Sequence, residues 1–423
     1  MNALKRILSL ILVLVLTAGL AGCNPQSAAP SGESEPPQPP QSSQPAPSAP
    51  SPAPSSAASE PEPVDNQAAA DEVADLIDAI YVQTRTDKTD EQCAAAKAAW
   101  DALTDEQKEL VEGKFADPDY FGRDTGDASL DDPRNYDGIS ANELLVVSFG
   151  TSYNSSRAAD IKGVEDALEA AFPGWSVRRA FTSQIIINHI QARDGVKIDN
   201  VEQALERAVA NKVENLVIQP THLMNGSEYD ELAAAAESYK DKFKSLVISE
   251  PLIGEVDPSD TEVNKDKRNV ALAVTGQAVA DTSYDSVKAA GNEGVAFVLL
   301  GHGTSHSAKV TYTRMQAQMS KLGYKNVFIG TVEGEPEDTA CEVLIEKIHD
   351  AGYTTVILRP FMVVAGDHAN NDMAGEDEDS WISMFNACEY FNSVSAQVAG
   401  IGRIPDIQSI YVAHAKKAID SVK

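Results

Sequence analysis

The chain has 423 residues, with 34 basic against 64 acidic side chains and a formal charge of −30. That balance excludes a nucleic-acid binder held by phosphate neutralisation, yet it stays compatible with a metal ion or a locally basic pocket, because steering follows the local field. Four cysteines with no Cys-x-x-Cys pair exclude a disulfide scaffold and a thiolate zinc site, and the length predicts more than one folded core.

Residues 1–22 read as an export signal. Lys5 and Arg6 precede an apolar run, Ile7 to Leu16, broken only by Ser9. A membrane span needs about 20 apolar residues, so cleavage is the better reading of this shorter run. Leu20-Ala21-Gly22-Cys23 resembles the bacterial lipobox, which implies acylation of Cys23 and a protein lipid-anchored to the extracytoplasmic face of the cell membrane. The alternative is an ordinary secretory signal with a chance cysteine. Of the 22 prolines, 13 lie between Pro25 and Pro63. Residues 23–65 are therefore expected to be a disordered tether, spanning up to ~3 Å per residue. Cys93, Cys341 and Cys388 read as small core residues, with a Cys341–Cys388 pair left open.

Residues 66–116 predict a small helical segment. Val73, Leu76, Ile77, Ile80 and Tyr81 fall at helical spacing, as do Cys93, Ala96, Trp100 and Leu103. Thr104 followed by Gln107 reads as a capping box opening a third short helix. The segment is expected to be a spacer or docking surface. Residues 117–140, with Asp117-Pro118, Gly122, Gly126 and Asp131-Asp132-Pro133, are expected to be a polar linker. A chain starting near Asp137 should then fold by itself and keep its ligands.

From Leu144 onward, short continuous apolar runs alternate with helical stretches, which predicts an α/β domain of parallel strands buried on both faces. Two similar halves, 141–285 and 286–423, are legible. Leu144–Val147 leads into Ser148-Phe149-Gly150-Thr151-Ser152, and Val295–Leu300 into Gly301-His302-Gly303-Thr304-Ser305. Val177–Phe181 corresponds to Val327–Ile329. Leu216-Val217-Ile218-Gln219-Pro220 leads to Gly226, and Val356-Ile357-Leu358-Arg359-Pro360 leads to Gly366, with the same Pro-to-Gly spacing. Two doubly wound units facing across a cleft follow, with ligands beyond the carboxyl ends of the strands.

Three strand ends of the second half carry His302, Glu333 and His368. Two imidazoles and a carboxylate suit a borderline divalent metal such as Co²⁺, Ni²⁺, Fe²⁺ or Zn²⁺, and leave coordination positions open. Glu335 stands two residues from Glu333 and is an alternative carboxylate. For any one of these histidines alone, a hydrogen-bonded structural role is the competing reading.

Leu-Val-Val-Ser-Phe-Gly-Thr-Ser, Gln-Pro-Thr-His-Leu-Met-Asn-Gly-Ser-Glu-Tyr, Gly-His-Gly-Thr, Val-Glu-Gly and Val-Ala-Gly-Asp-His-Ala-Asn-Asn-Asp-Met-Ala-Gly together resemble the anaerobic cobalt chelatases. These class II chelatases insert Co²⁺ into sirohydrochlorin on the way to cobalamin. The resemblance runs from about Glu143 to the C-terminus and implies that His302, Glu333 and His368 are the catalytic and metal-binding residues. It also implies a polycarboxylate tetrapyrrole partner, for which Ser148, Thr151, Ser152 and Thr304 offer donors at helix starts. Arg157, Lys309, Arg314 and Arg359 are the nearby cations. His222 is a candidate tetrapyrrole contact or, as in some exported members of the family, a haem ligand; the alternative is a loop histidine that orients a neighbour. A homo-oligomer stays open. Because cobalamin synthesis is cytoplasmic and this chain carries an export signal, the other functional expectation is a non-catalytic lipoprotein that passes metal or tetrapyrrole to a transporter.

Overall fold

The computed structural model describes residues 66–254 and 265–422. The export signal, Cys23 and the tether lie outside the described residues. Among those described, no helix is long and apolar enough to cross a membrane.

Helices α1 (Asn66–Ile80), α2 (Thr89–Ala102) and α3 (Asp105–Lys108) open the described chain. The predicted apolar faces are the buried ones: Val73, Ile77 and Ile80 pack with Cys93, Ala96 and Trp100. The Thr104–Gln107 capping box forms as read. Cys93, Cys341 and Cys388 are all free thiols.

The α/β region is two four-stranded parallel sheets. The first is built from β1 (Asn142–Ser148), β2 (Ser176–Phe181), β3 (Asn215–Pro220) and β4 (Ser245–Ile248), in the order β2-β1-β3-β4. The second uses β5 (Val295–Gly301), β6 (Val327–Thr331), β7 (Thr355–Pro360) and β8 (Ser393–Ala396), in the order β6-β5-β7-β8. Position by position the two orders are the same, which is the repeat expected from the sequence. The covering helices are α4 (Lys162–Ala171), α5 (Gln184–Asp194), α6 (Val201–Ala210), α7 (Ser227–Tyr239), α8 (Lys265–Ala280), α9 (Val287–Asn292), α10 (Val310–Lys321), α11 (Cys341–Asp350), α12 (Trp381–Ala387) and α13 (Pro405–Ser421).

The period of two along each central strand sorts side chains to opposite faces. Leu144 and Val146 join a cluster with Phe297, Leu299 and residues of α8 and α13, so one core is shared by both halves. Leu145 and Val147 face the other way, onto α6. Val298 and Leu300 do the same in the second half, against α11 and α12.

Residues 117–140 are not the polar linker expected. Tyr120 and Phe121 are buried with α1 and α2, and Tyr120 stacks on His189 of α5 at 4.3 Å between ring centroids. Asp131 is buried between Arg157 and Arg179, 2.6 Å from each. Arg134 reaches Glu165, Asp166 and Glu169. Charged residues that read as solvated loop are thus ion-paired inside the first half, Asp131 with two guanidiniums and Arg134 with three carboxylates. The α1–α2 hairpin is fixed to α5 as well: Asn188 Nδ2 donates to the Ile80 carbonyl (2.8 Å) and Gln191 Nε2 to Asp90 (2.8 Å). A chain starting at Asp137 would therefore lose Asp131, leaving buried Arg157 without its carboxylate and Arg179 with Glu165 alone, contrary to the expectation that it folds by itself.

Candidate metal centre at the strand ends

β5, β6 and β7 run parallel as neighbours, so the loops that follow them gather at one sheet edge. His302 follows β5, Glu333 follows β6, and His368 lies in the loop after β7. The backbone joins the first two, with the Glu333 N–H donating to the His302 carbonyl at 2.9 Å. Glu333 Oε1 is 3.7 Å from His302 Nε2, and the rings of His302 and His368 meet edge-to-face with centroids 4.5 Å apart. The three residues singled out from the sequence are brought together.

Local sequence makes this approach possible. Gly303 has φ +95°, and a Cβ there would sit 2.7 Å from the Glu333 Cβ, so only glycine lets the carboxylate come alongside the imidazole. The Gly303 N–H donates to Tyr312 Oη at 3.1 Å, which fixes the turn. His302 Nδ1 lies 2.8 Å from the Gly303 carbonyl, which can only accept; in the neutral ring Nδ1 therefore carries the proton and Nε2 the lone pair. His368 Nδ1 is likewise occupied, by Asp372 Oδ2 at 2.7 Å. Both imidazoles thus keep Nε2 for a metal, each with its other nitrogen held in the manner that orients metal ligands.

The protonation states differ by environment. Desolvation pushes His302 below the ordinary histidine pKa, and the neighbouring His368 pushes the same way, although half of its side-chain surface (49%) is open to the cleft. For His368, burial works to lower the pKa, but the Asp372 hydrogen bond and the charges of Asp372, Asp367 and Glu333 prevail and raise it. Burial raises Glu333, and Asp372 and Glu335 reinforce this against His368. Between Glu333 and Glu335 the geometry favours the first: Glu335 is tied to Lys309 Nζ at 2.8 Å.

The expected substrate donors are more engaged than the sequence implies. Ser148 is buried and accepts from Thr221 Oγ1 at 2.7 Å. Thr151 is buried, accepts from the Tyr153 N–H through Oγ1, and accepts from Arg157 Nη1 through its carbonyl. The Ser152 carbonyl accepts from Arg193 (2.6 Å), and Thr304 Oγ1 accepts from the His306 N–H (3.1 Å). Arg359 is buried with Nη1 bonded to Asp281 (2.5 Å) and Gln397 (2.8 Å), which corrects its reading as a cleft cation. Arg157 is similarly spent inside the first half. His222 has both ring nitrogens shielded and unpartnered, and burial lowers its pKa.

Two residues of this region were not singled out from the sequence. Glu228, at the start of α7, lies close enough to raise the pKa of both His222 and His302. Its neighbour Asp230 is 3.4 Å from His306 Nε2, so the start of α7 in the first half faces the His302 loop of the second. Phe149, in the turn after β1, is 45% exposed. A large exposed ring at a strand end is a sequence signal only once the strand end is known.

A second donor set, Glu250, Asp266 and His414, has ligand atoms within 4.8 Å of one another. Its atoms are already engaged, Glu250 by Lys417 (2.5 Å) and Asp266 by His414 Nε2 (3.4 Å).

Residues 142–420 match the family described as cobalt chelatase (CbiK). A sirohydrochlorin cobaltochelatase of Salmonella typhimurium is 34% identical over 277 residues, 66% of this chain and 96% of the relative. The sirohydrochlorin cobaltochelatase CbiKC of Nitratidesulfovibrio vulgaris is 28% identical over 246 residues, 58% of this chain and 79% of the relative. Among solved structures, SirB from Bacillus subtilis with Fe³⁺ is 15% identical, covering 66% of this chain and 96% of that one at a TM-score of 0.44. From residue 142 to residue 420, this chain is a member of the cobalt chelatase family.

Proposed function

We propose that the protein inserts Co²⁺ into sirohydrochlorin or a closely related tetrapyrrole, with His302, Glu333 and His368 receiving the metal. The observation that carries this reading is the pair of imidazoles that both keep Nε2 open beside one carboxylate, in a chain of the cobalt chelatase family. Insertion exchanges one Co²⁺ for the two pyrrole N–H protons of the free macrocycle, so the site must hold a divalent ion and then accept protons. His302, with its pKa lowered, is neutral at pH 7 and ready to donate its lone pair. Glu333, with its pKa raised, is a better proton acceptor than an ordinary surface carboxylate. An open set of three protein donors also releases the metal more readily than a closed tetrahedral one, and transfer requires release.

The macrocycle lies across the cleft in this reading, with Phe149, His222 and Glu228 of the first half opposite His302, Glu333 and His368 of the second. The orphaned nitrogens of His222 are also the ones that would hold a haem iron, which would supply a redox centre. The reading of residues 1–22 as an export signal, ending in the lipobox-like stretch at Cys23, supports a lipid-tethered enzyme on the outer face of the cell membrane. Cys23→Ala should move it from the membrane fraction to the soluble one; unchanged fractionation would end that assignment.

The functional test is turnover. Purified protein with sirohydrochlorin and Co²⁺ should accelerate the absorbance change of metallation above the spontaneous rate. Binding of both without acceleration would leave the capture-and-transfer lipoprotein instead, and Ni²⁺, Fe²⁺ or Zn²⁺ outpacing Co²⁺ would change the metal.

A further inference from the structure

Residues 66–141 lie outside the matched family region, yet they touch the loop that carries His368. Arg123 follows the buried pair Tyr120 and Phe121, and its own N–H donates to the Asp119 carbonyl at 2.9 Å. Its Nη1 donates to Tyr153 Oη at 3.0 Å and to Asn371 Oδ1 at 3.4 Å. Tyr153 belongs to the turn after β1 in the first half. Asn371 belongs to the single wide helical turn Ala369–Met373 that begins directly after His368. The next residue, Asp372, holds His368 Nδ1. One guanidinium therefore joins three segments: the N-terminal extension, the first half, and the turn that orients a histidine of the metal centre.

The root of the same loop is held separately, where the Ala365 N–H donates to Asp160 Oδ2 of the first half at 3.0 Å. Without Arg123 the loop keeps its root but loses an anchor at its far end. Arginine suits the task because the two N–H bonds of Nη1, fixed in the guanidinium plane, serve two acceptors at once and the charge is kept, whereas a lysine offers a point charge on a flexible stem.

We infer that Arg123 is a positioning residue for the metal centre: through Asn371 it fixes the Ala369–Met373 turn, and through Asp372 the His368 ring, in the geometry that receives the metal. The role in Co²⁺ handling rests on the proposed function; the clasp itself does not.

The test uses the full chain and its Arg123→Ala and Arg123→Lys variants. Without metal, Arg123→Ala should speed amide exchange across Gly366–Gly375 by about tenfold, as expected for losing one charge-assisted hydrogen bond. With metal, it should weaken Co²⁺ binding and lower kcat by about three- to tenfold, leaving KM for sirohydrochlorin unchanged, and Arg123→Lys should recover only part of the loss. Unchanged exchange would overturn the clasp. Faster exchange with unaltered Co²⁺ affinity and kcat would overturn the positioning role, as would a rise in macrocycle KM alone, which would make Arg123 a substrate contact. If wild-type protein bound no Co²⁺, the proposed function would fall and the positioning role in metal binding with it, while the exchange data would still decide the clasp. Should Arg123→Ala not fold, Asn371→Ala severs the same contact from the other side, with the same readouts.

Discussion

The two halves share a strand order and differ in what their strands carry. In the first half, β2 is Ser-Val-Arg-Arg-Ala-Phe, and Arg178 and Arg179 are wholly buried. Arg178 pairs with Glu143, and Arg179 with Glu165 and Asp131. The equivalent strand of the second half, β6, is Val-Phe-Ile-Gly-Thr, apolar until its end, and its charged chemistry begins only past the end at Glu333. One half therefore buries its charges inside the scaffold, where they fasten residues 131–134; the other, Arg359 of β7 apart, keeps charge off its strands and carries it on the loops past their ends. The same backbone supports both because the loops beyond the carboxyl ends are not needed for strand pairing.

If that division is right, substitutions in the second half should remove activity and spare the fold. His302→Ala and His368→Ala should each lower the metallation rate by roughly 10²-fold or more while the thermal transition stays nearly in place, since loop imidazoles leave no core cavity. Near wild-type rates at saturating Co²⁺ in either variant would remove that residue from the site.

The first half should show the reverse. Asp131→Ala leaves Arg157 and Arg179 buried without a shared counter-ion, and should cost about 3–5 kcal/mol of stability. Burial works to raise the Asp131 pKa, but the two guanidiniums prevail and hold it below the ordinary value. A depressed folded-state pKa gives stability that is present above the unfolded value, about 3.9, and lost as the pH falls through the folded one. The gap between wild type and Asp131→Ala in thermal denaturation should thus be full at pH 7 and narrow below about pH 4. An equal gap at pH 7 and pH 3 would show that the loss was one of packing.

A smaller effect is expected from pH on metallation itself. His368 is raised above the ordinary histidine pKa, so on its acid side Nε2 holds a proton and repels the metal. At limiting Co²⁺, kcat/KM should rise with pH through that value and then level off. Asp372→Asn removes the principal raising partner and should move the inflection to lower pH; an unmoved inflection would assign it to another group.

Much of this was legible in the sequence, for identifiable reasons. Central strands β1, β3, β5 and β7 are buried on both faces and therefore appear as unbroken apolar runs. Edge strand β8, Ser-Val-Ser-Ala, alternates between exposed and half-buried positions and carries no such run. That His302, Glu333 and His368 come together was legible because three neighbouring parallel strand ends must meet. Glu228 was not, because it stands in the first turn of a helix like any solvated acid, and only the closure of one half on the other brings it to His302. Asp131 and Arg134 failed for a related reason. An Asp-Asp-Pro-Arg stretch reads as a loop, and nothing local reveals that its counter-ions are arginines of β2 and of the turn after β1, and carboxylates of α4.

Arg359 provides the finest test of the comparison, because the sequence placed it with the substrate and the structure places it with the scaffold. It lies near the end of β7, opposite Leu299, where a cation aimed outward would meet carboxylates in the cleft. Instead it is buried, with its guanidinium on Asp281 just past α8 and on Gln397 just past β8. It is thus the second half's counterpart of Arg178 and Arg179, a strand arginine consumed by internal bonds. Arg359→Gln should lower stability by about 1–3 kcal/mol, the usual loss when a charged hydrogen-bond partner is withdrawn, and leave KM for sirohydrochlorin within about twofold. Arg359 is held by Asp281 and Gln397 and Asp131 by Arg157 and Arg179, with no partner in common, so the Arg359→Gln and Asp131→Ala losses should add in the double variant. A tenfold rise in KM with an unshifted thermal transition would return Arg359 to the cleft, and the separation between a half that braces and a half that binds would no longer hold.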